Sequence, residues 1–164
     1  MYKIGEHLVY CRDVCIVKEI KRNHYQGHDY YVLMPIEDSS LKIEVPIENR
    51  CGNLRDLITK DELEDIIKQI PSIPILDCHD KLMENEYKKL LSSKNHVDLI
   101  KIIKTAYLRN QYRLDQNKKL GETDNNYLEK AERYLFQEFG VVLGLDYEET
   151  KQYVIDQVLE LQNN

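Results

Sequence analysis

The chain has 164 residues, enough for one well-filled core or two small ones. Its 42% hydrophobic and 32% charged residues exclude a disordered chain, and no apolar run approaches the roughly 20 residues that cross a bilayer. The net charge of −6 argues at first against a polyanionic partner, although charge distribution matters more than its average.

The opening residues, MYKIGEHLVYCRD, contain neither an apolar signal core nor a small-residue cleavage site, so a cytoplasmic location without membrane contact is expected. Residues 1–50 then read as four short strands, HLVYC, VCIVKEI, YYVLMPI and LKIEVPI, rich in β-branched and aromatic residues. Gly27 marks one turn and Asp38-Ser39-Ser40 another. This spacing predicts a small antiparallel, barrel-like sheet with Val9, Val14, Ile16, Ile20, Tyr31, Leu33, Ile43 and Val45 in its core.

Cys11 and Cys15 fall in the first turn, with Arg12 and Asp13 expected at its tip, and Cys15 can sit on either sheet face. They are the only close cysteine pair, since Cys51 and Cys78 stand alone. His24 and His28 are four apart but flank Gly27, where a solvated pair is ordinary. Structural zinc sites need closer duplicated spacing, so reduced thiols and no metal or cofactor are expected.

From about residue 60 the periodicity becomes helical. KDELEDIIKQI predicts a short amphipathic helix ended by Pro71 and Pro74, and PSIPILD a connector. Residues 80–92 and 96–114 repeat apolar side chains at helical spacing. A further helix follows Gly121, with Thr123 as its N-cap and an end before Gly140. The last starts at Asp146, with Glu149 placed for a capping box, and runs to about Leu161. The organisation expected is α+β: a barrel over 1–58, a short helix and connector over 59–76, and a helical bundle over 77–164.

Residues 88–119 hold nine Lys or Arg (88, 89, 94, 101, 104, 109, 113, 118, 119) against Asp98 and Asp115, a local charge of +7 in an acidic chain. Along the helix of 96–114, Leu99, Ile100, Ile103, Ala106, Tyr107 and Leu114 gather on one side. Lys101, Lys104, Arg109 and Arg113 sweep across the other, facing either solvent or a polyanion. Phosphate-binding loops, a nucleophile elbow and H-E-x-x-H are missing, and Cys78-His79 are neighbours in sequence only, so neither catalysis nor a small-molecule substrate is expected.

The order KIGEHLVY, VCIVKEI, a Gly27 hairpin, Tyr30-Tyr31-Val32-Leu33 and Val45-Pro46-Ile47-Glu48-Asn49 resembles the CarD/CdnL family of bacterial transcription regulators. That family shares its N-terminal module with the transcription-repair coupling factor. The likeness continues through Arg55, AYLRNQ (106–111) and LGETDNNYLEKAERYLFQE (120–138), covering about residues 2–162. It implies a Tudor-like barrel that binds the RNA polymerase β subunit and a helical domain that touches promoter DNA and stabilises the open complex. On this sequence the implied polymerase contacts are Asn23, Tyr25, Lys42, Glu44 and Val45. The implied DNA contacts are His79, Lys81, Lys101, Lys104, Arg109 and Arg113.

Three departures stand out. There is no tryptophan, and the family's wedge position falls at about Cys78 or His79. Asn125 stands near a position usually basic. Glu44 and Asn23 stand where arginines are frequent, and a charge reversal at a contact requires a changed partner. Any DNA contact is therefore expected to be weak, salt-dependent and non-specific. The alternative is a protein-interaction adaptor that binds polymerase or another partner without wedging DNA.

Overall fold

Among the described residues, five strands precede five α-helices, an α+β chain. The computed structural model describes residues 1–93 and 95–164, so Lys94 of the basic segment lies outside the described residues. The chain divides into two compact units, Met1–Ile58 and Thr59–Asn164.

In the first unit, β1 (His7–Tyr10), β2 (Asp13–Tyr25), β3 (His28–Pro35), β4 (Ile43–Pro46) and β5 (Leu54–Arg55) form one antiparallel sheet. Its order is β4-β3-β2-β1-β5, and no ladder among the described residues joins β4 to β5. The expected barrel is thus corrected to an open sheet with two edges. The β2–β3 turn is Gln26-Gly27, at φ 50° and 81°, the two left-handed residues that a tight type I′ hairpin requires. The β1–β2 turn is Cys11-Arg12, because Tyr10 already pairs with Asp13; its tip lies one residue earlier than expected.

Two irregularities in β2 set which side chains face inward. Pairing slips between Val17 and Glu19 and again between Lys21 and Tyr25. The first inserts an extra residue, so Val17 and Ile20 share a face although strict alternation would separate them. The resulting core cluster is Leu8, Cys15, Val17, Tyr31, Leu33, Val45 and Leu54, with Ile20 and Ile43 partly buried against it. Cys15 is therefore a core residue, while Ile16 is only half-buried. Burial, helped by the nearby Asp13, pushes the Cys15 thiol up to about 12.

The second unit holds α1 (Lys60–Gln69), α2 (Asp80–Ser92), α3 (His96–Asp115), α4 (Glu122–Leu143) and α5 (Tyr147–Asn163). Thr59 and Glu62 close a capping box on α1, and Asp146 caps α5 by accepting the Glu149 N–H at 2.8 Å. Residues 59–76, read from sequence as a helix and connector, belong to this unit. Tyr153 on α5 donates to Glu64 at 2.6 Å, and Leu76 N–H donates to Thr105 on α3 at 2.9 Å.

Helix α4 differs from expectation at both ends. Its N-cap is Gly121, whose N–H donates to the buried Asn110 at 3.1 Å, rather than Thr123. It also runs through Gly140 to a left-handed stop at Gly144, φ 70°. At Gly140 a Cβ would stand 2.9 Å from the Leu145 carbonyl, so this glycine permits close approach of the α4–α5 turn.

The buried stripe of α3 runs Leu99, Ile102, Ala106, Asn110 and is rotated from the one expected. Tyr107 and Leu114, read as core, are 54% and 48% exposed. The rotation follows from polar residues that the core accepts because they are paired: Thr105 with Leu76 and Asn110 with Gly121.

Candidate functional site

The two edges of the sheet end differently. Ile47 N–H donates to Asp29 O at 3.0 Å, in register with the Tyr31–Val45 and Leu33–Ile43 pairs. Hydrogen-bonded pairs alternate along an antiparallel ladder, so the main-chain groups of Glu44 and Pro46 point away from β3. Pro46 has no N–H to leave open, which makes Glu44 the residue offering both an outward donor and an outward acceptor.

At the other edge, Cys11 N–H donates to Asn53 O at 2.8 Å, so the main-chain groups of Leu54 point away from β1. Both are taken by one side chain. Asn49 donates to Leu54 O at 2.7 Å and accepts from Leu54 N–H at 3.1 Å, imitating a strand with its amide. The asparagine of the V-P-x-x-N motif therefore seals one edge, and β4 remains the open one.

Around β4, Glu44 accepts from Lys21 and from His24, the latter at 2.9 Å, and these contacts hold its carboxyl below the ordinary range. Lys42 is exposed just before the strand. Asn23 sits in the second β2 irregularity at φ 50°, its N–H bonded to Asp29 at 2.8 Å, and Tyr25 is 59% exposed at the hairpin end. Val45 differs from its neighbours, because its side chain faces the core at 5% exposure. A groove of about 370 Å³ lies beside the strand, lined among others by Tyr10, Tyr30, Val45, Pro46 and Leu54.

The six residues of the expected DNA surface do not form one free face. Lys104 donates to Ile70 O at 2.7 Å and Ile73 O at 2.6 Å, satisfying carbonyls at the end of α1 and its 3-10 extension. Burial lowers its pKa. The expectation of a solvent-facing Lys104 is corrected accordingly. Arg109 is also engaged internally: Nε bonds to both Asp124 oxygens at 3.0 and 3.1 Å, and Nη1 to Asp80 at 2.9 Å.

Asp124 is 3% exposed and also accepts the Tyr87 hydroxyl at 2.7 Å, forming a buried node among α2, α3 and α4. Burial and this carboxylate raise the Tyr87 pKa. Arg113 packs on Gly121, where a Cβ would stand 3.1 Å from its Nε. Lys81 is exposed, Lys101 half-exposed, and His79 caps α2 by accepting the Lys81 N–H at 3.2 Å.

Sequence reading missed Asp80 and Asp124 as partners of Arg109, and Tyr87 as a donor to Asp124. Acidic residues in a first helical turn read as dipole partners, and their true contacts lie 15 and 29 residues away. Cysteines and histidines remain dispersed, and among the described residues no group of three or more His, Cys, Asp or Glu is arranged to hold a metal. No helix among the described residues is long and apolar enough to cross a membrane. No protein-family model matches the chain, and no curated protein matches its sequence.

Proposed function

We propose that this chain is a bacterial transcription regulator of CarD/CdnL type, whose N-terminal unit is a Tudor-like module with an unsealed edge. That edge, β4, adds to a strand of the RNA polymerase β subunit. The helical unit contacts the promoter backbone without sequence preference and stabilises the open complex. The observation that carries the reading is the asymmetry of the sheet: Asn49 seals β5, whereas Glu44 leaves a donor and an acceptor outward on β4. An open edge of this kind is a template for strand addition.

A pull-down with the polymerase β lobe tests it, followed by promoter titration at low and moderate salt. Capture by the lobe that is lost in a Glu44→Pro variant supports the reading, and failure of the native chain to bind the lobe overturns it. The DNA part needs Lys81, Lys101 and Arg113 substituted together, because Lys104 and Arg109 hold the fold. Unchanged promoter affinity in that triple alanine variant removes DNA from the reading.

A second reading, an adaptor that binds polymerase or another protein without touching DNA, has its own support. With Lys104 and Arg109 engaged inside the unit, α3 exposes Tyr107, Leu108 and Tyr112 at 54%, 48% and 67%. Polymerase capture with no effect of promoter DNA at low salt favours it.

A further inference from the structure

Arg109 is held by two carboxylates of opposite character. Asp124, 4% exposed at its side chain, takes Nε, whereas Asp80, 78% exposed, takes Nη1 at 2.9 Å. The hydrogen bond from Arg109, followed by the Arg109 charge and smaller contributions from His79 and Arg113, holds the Asp80 carboxyl below the ordinary range. A cavity of about 360 Å³ opens beside it, lined by Lys81, Arg109 and Arg113 and bounded by Gly121 at the start of α4. Arg113 makes no ion pair among the described residues. Asp80, Glu84, Glu122 and Asp124 line the same cavity against those three cations, so it exerts no net pull on an anion while Asp80 is in place.

One exposed carboxylate thus occupies the point on which the cations converge. An exposed ion pair is weak and exchanges readily, while a buried one is costly to break. A phosphodiester oxygen offers the guanidinium the same acceptor chemistry as a carboxylate. We propose that Asp80 is a built-in stand-in for phosphate: a DNA phosphate displaces it from Arg109 Nη1, while Asp124 keeps the guanidinium aimed outward and Arg113 and Lys81 flank the incoming oxygen. The inference rests on the DNA reading above and deepens it by naming the point of contact and the residue that restrains it.

The test is fluorescence anisotropy of a short labelled duplex with the full chain at about 50 mM salt. Native protein is compared with Asp80→Asn, Asp80→Ser and Arg113→Ala, all checked for an unchanged thermal midpoint. Both Asp80 variants are expected to bind about threefold more tightly or better, with the salt slope steeper by about one, and Arg113→Ala more weakly. Two different substitutions are used so that one variant remains if the other fails to fold. Equal or weaker binding by the folded Asp80 variants overturns the inference, and leaves the DNA reading standing if native protein binds. No binding by native protein or by either variant overturns both.

Discussion

The sheet edge and the basic helix face present polar groups in opposite ways. On β4 the main chain of Glu44 points outward because the ladder leaves it there, and no further strand among the described residues pairs with that edge. On α3 two of the four cations are engaged by the fold: Lys104 by the carbonyls of Ile70 and Ile73, and Arg109 by Asp124. A row of cations counted along a helix measures charge, not availability. An edge strand, by contrast, declares its availability through topology. For the partners proposed above, the sheet edge is therefore the firmer candidate and the helix face the conditional one.

The largest expected effect tests the inward half of this comparison. Asp124→Ala strands the Tyr87 hydroxyl and leaves the Arg109 guanidinium only the exposed Asp80, and breaking a buried ion pair costs about 3–5 kcal/mol. Because Arg109 retains 26% side-chain exposure, a loss of about 3 kcal/mol in urea unfolding is expected, near the low end. A loss below about 1 kcal/mol means that Arg109 is in effect a surface cation, and the contrast collapses.

Next in size is the sealed edge. Asn49→Ala removes two hydrogen bonds to Leu54, at about 1 kcal/mol each, so unfolding should show a loss of about 2 kcal/mol. Asn49→Asp keeps the acceptor but places a carboxylate against the Leu54 carbonyl, and should cost at least as much. If Asn49→Ala is neutral by thermal denaturation, β5 has no sealed edge and the asymmetry between the two sides is lost.

A pair of proline substitutions then sharpens the open edge. Glu44→Pro deletes an outward N–H and should leave the sheet folded, with only a small drop in thermal midpoint, while weakening strand addition at least tenfold. Val45→Pro deletes an N–H bonded to Tyr31 and should cost roughly 3 kcal/mol by the same logic applied inside the ladder. Equal destabilisation by both prolines would show that the register argument is wrong.

Legibility from sequence followed the range of the interactions involved. The first four strands, the helix succession and the turn at Gly27 were readable because they depend on local periodicity and turn chemistry, whereas the two-residue β5 was not. The phase of the sheet was not, because the irregularity after Val17 inserts a residue and moves Ile20 onto the core face. The rotation of α3 was hidden for a similar reason: Asn110 and Thr105 are acceptable in its buried stripe only through Gly121 and Leu76. The motif asparagine at position 49 was visible as a letter, but its work on Leu54 becomes visible only once β5 is known to need an outer partner.

The smallest effect concerns Cys15, which the irregular strand places in the core beside Leu8 and Pro35. Its thiol titrates at about 12 in the fold against an ordinary 9.0, so the protonated form is the one the fold favours. A raised pKa of this kind contributes stability that is full below pH 9 and drains away as pH rises toward 12. Thermal midpoints should therefore fall less steeply between pH 9 and 11 in Cys15→Ala than in the native chain, the tyrosines supplying the remaining slope. A thiol reagent at pH 8 should modify the exposed Cys11 and Cys51 quickly and reach Cys15 only on unfolding. Rapid labelling of Cys15 in the folded chain would show that β2 is not packed between Leu8 and Pro35, and with it would go the register on which the outward direction of Glu44 depends.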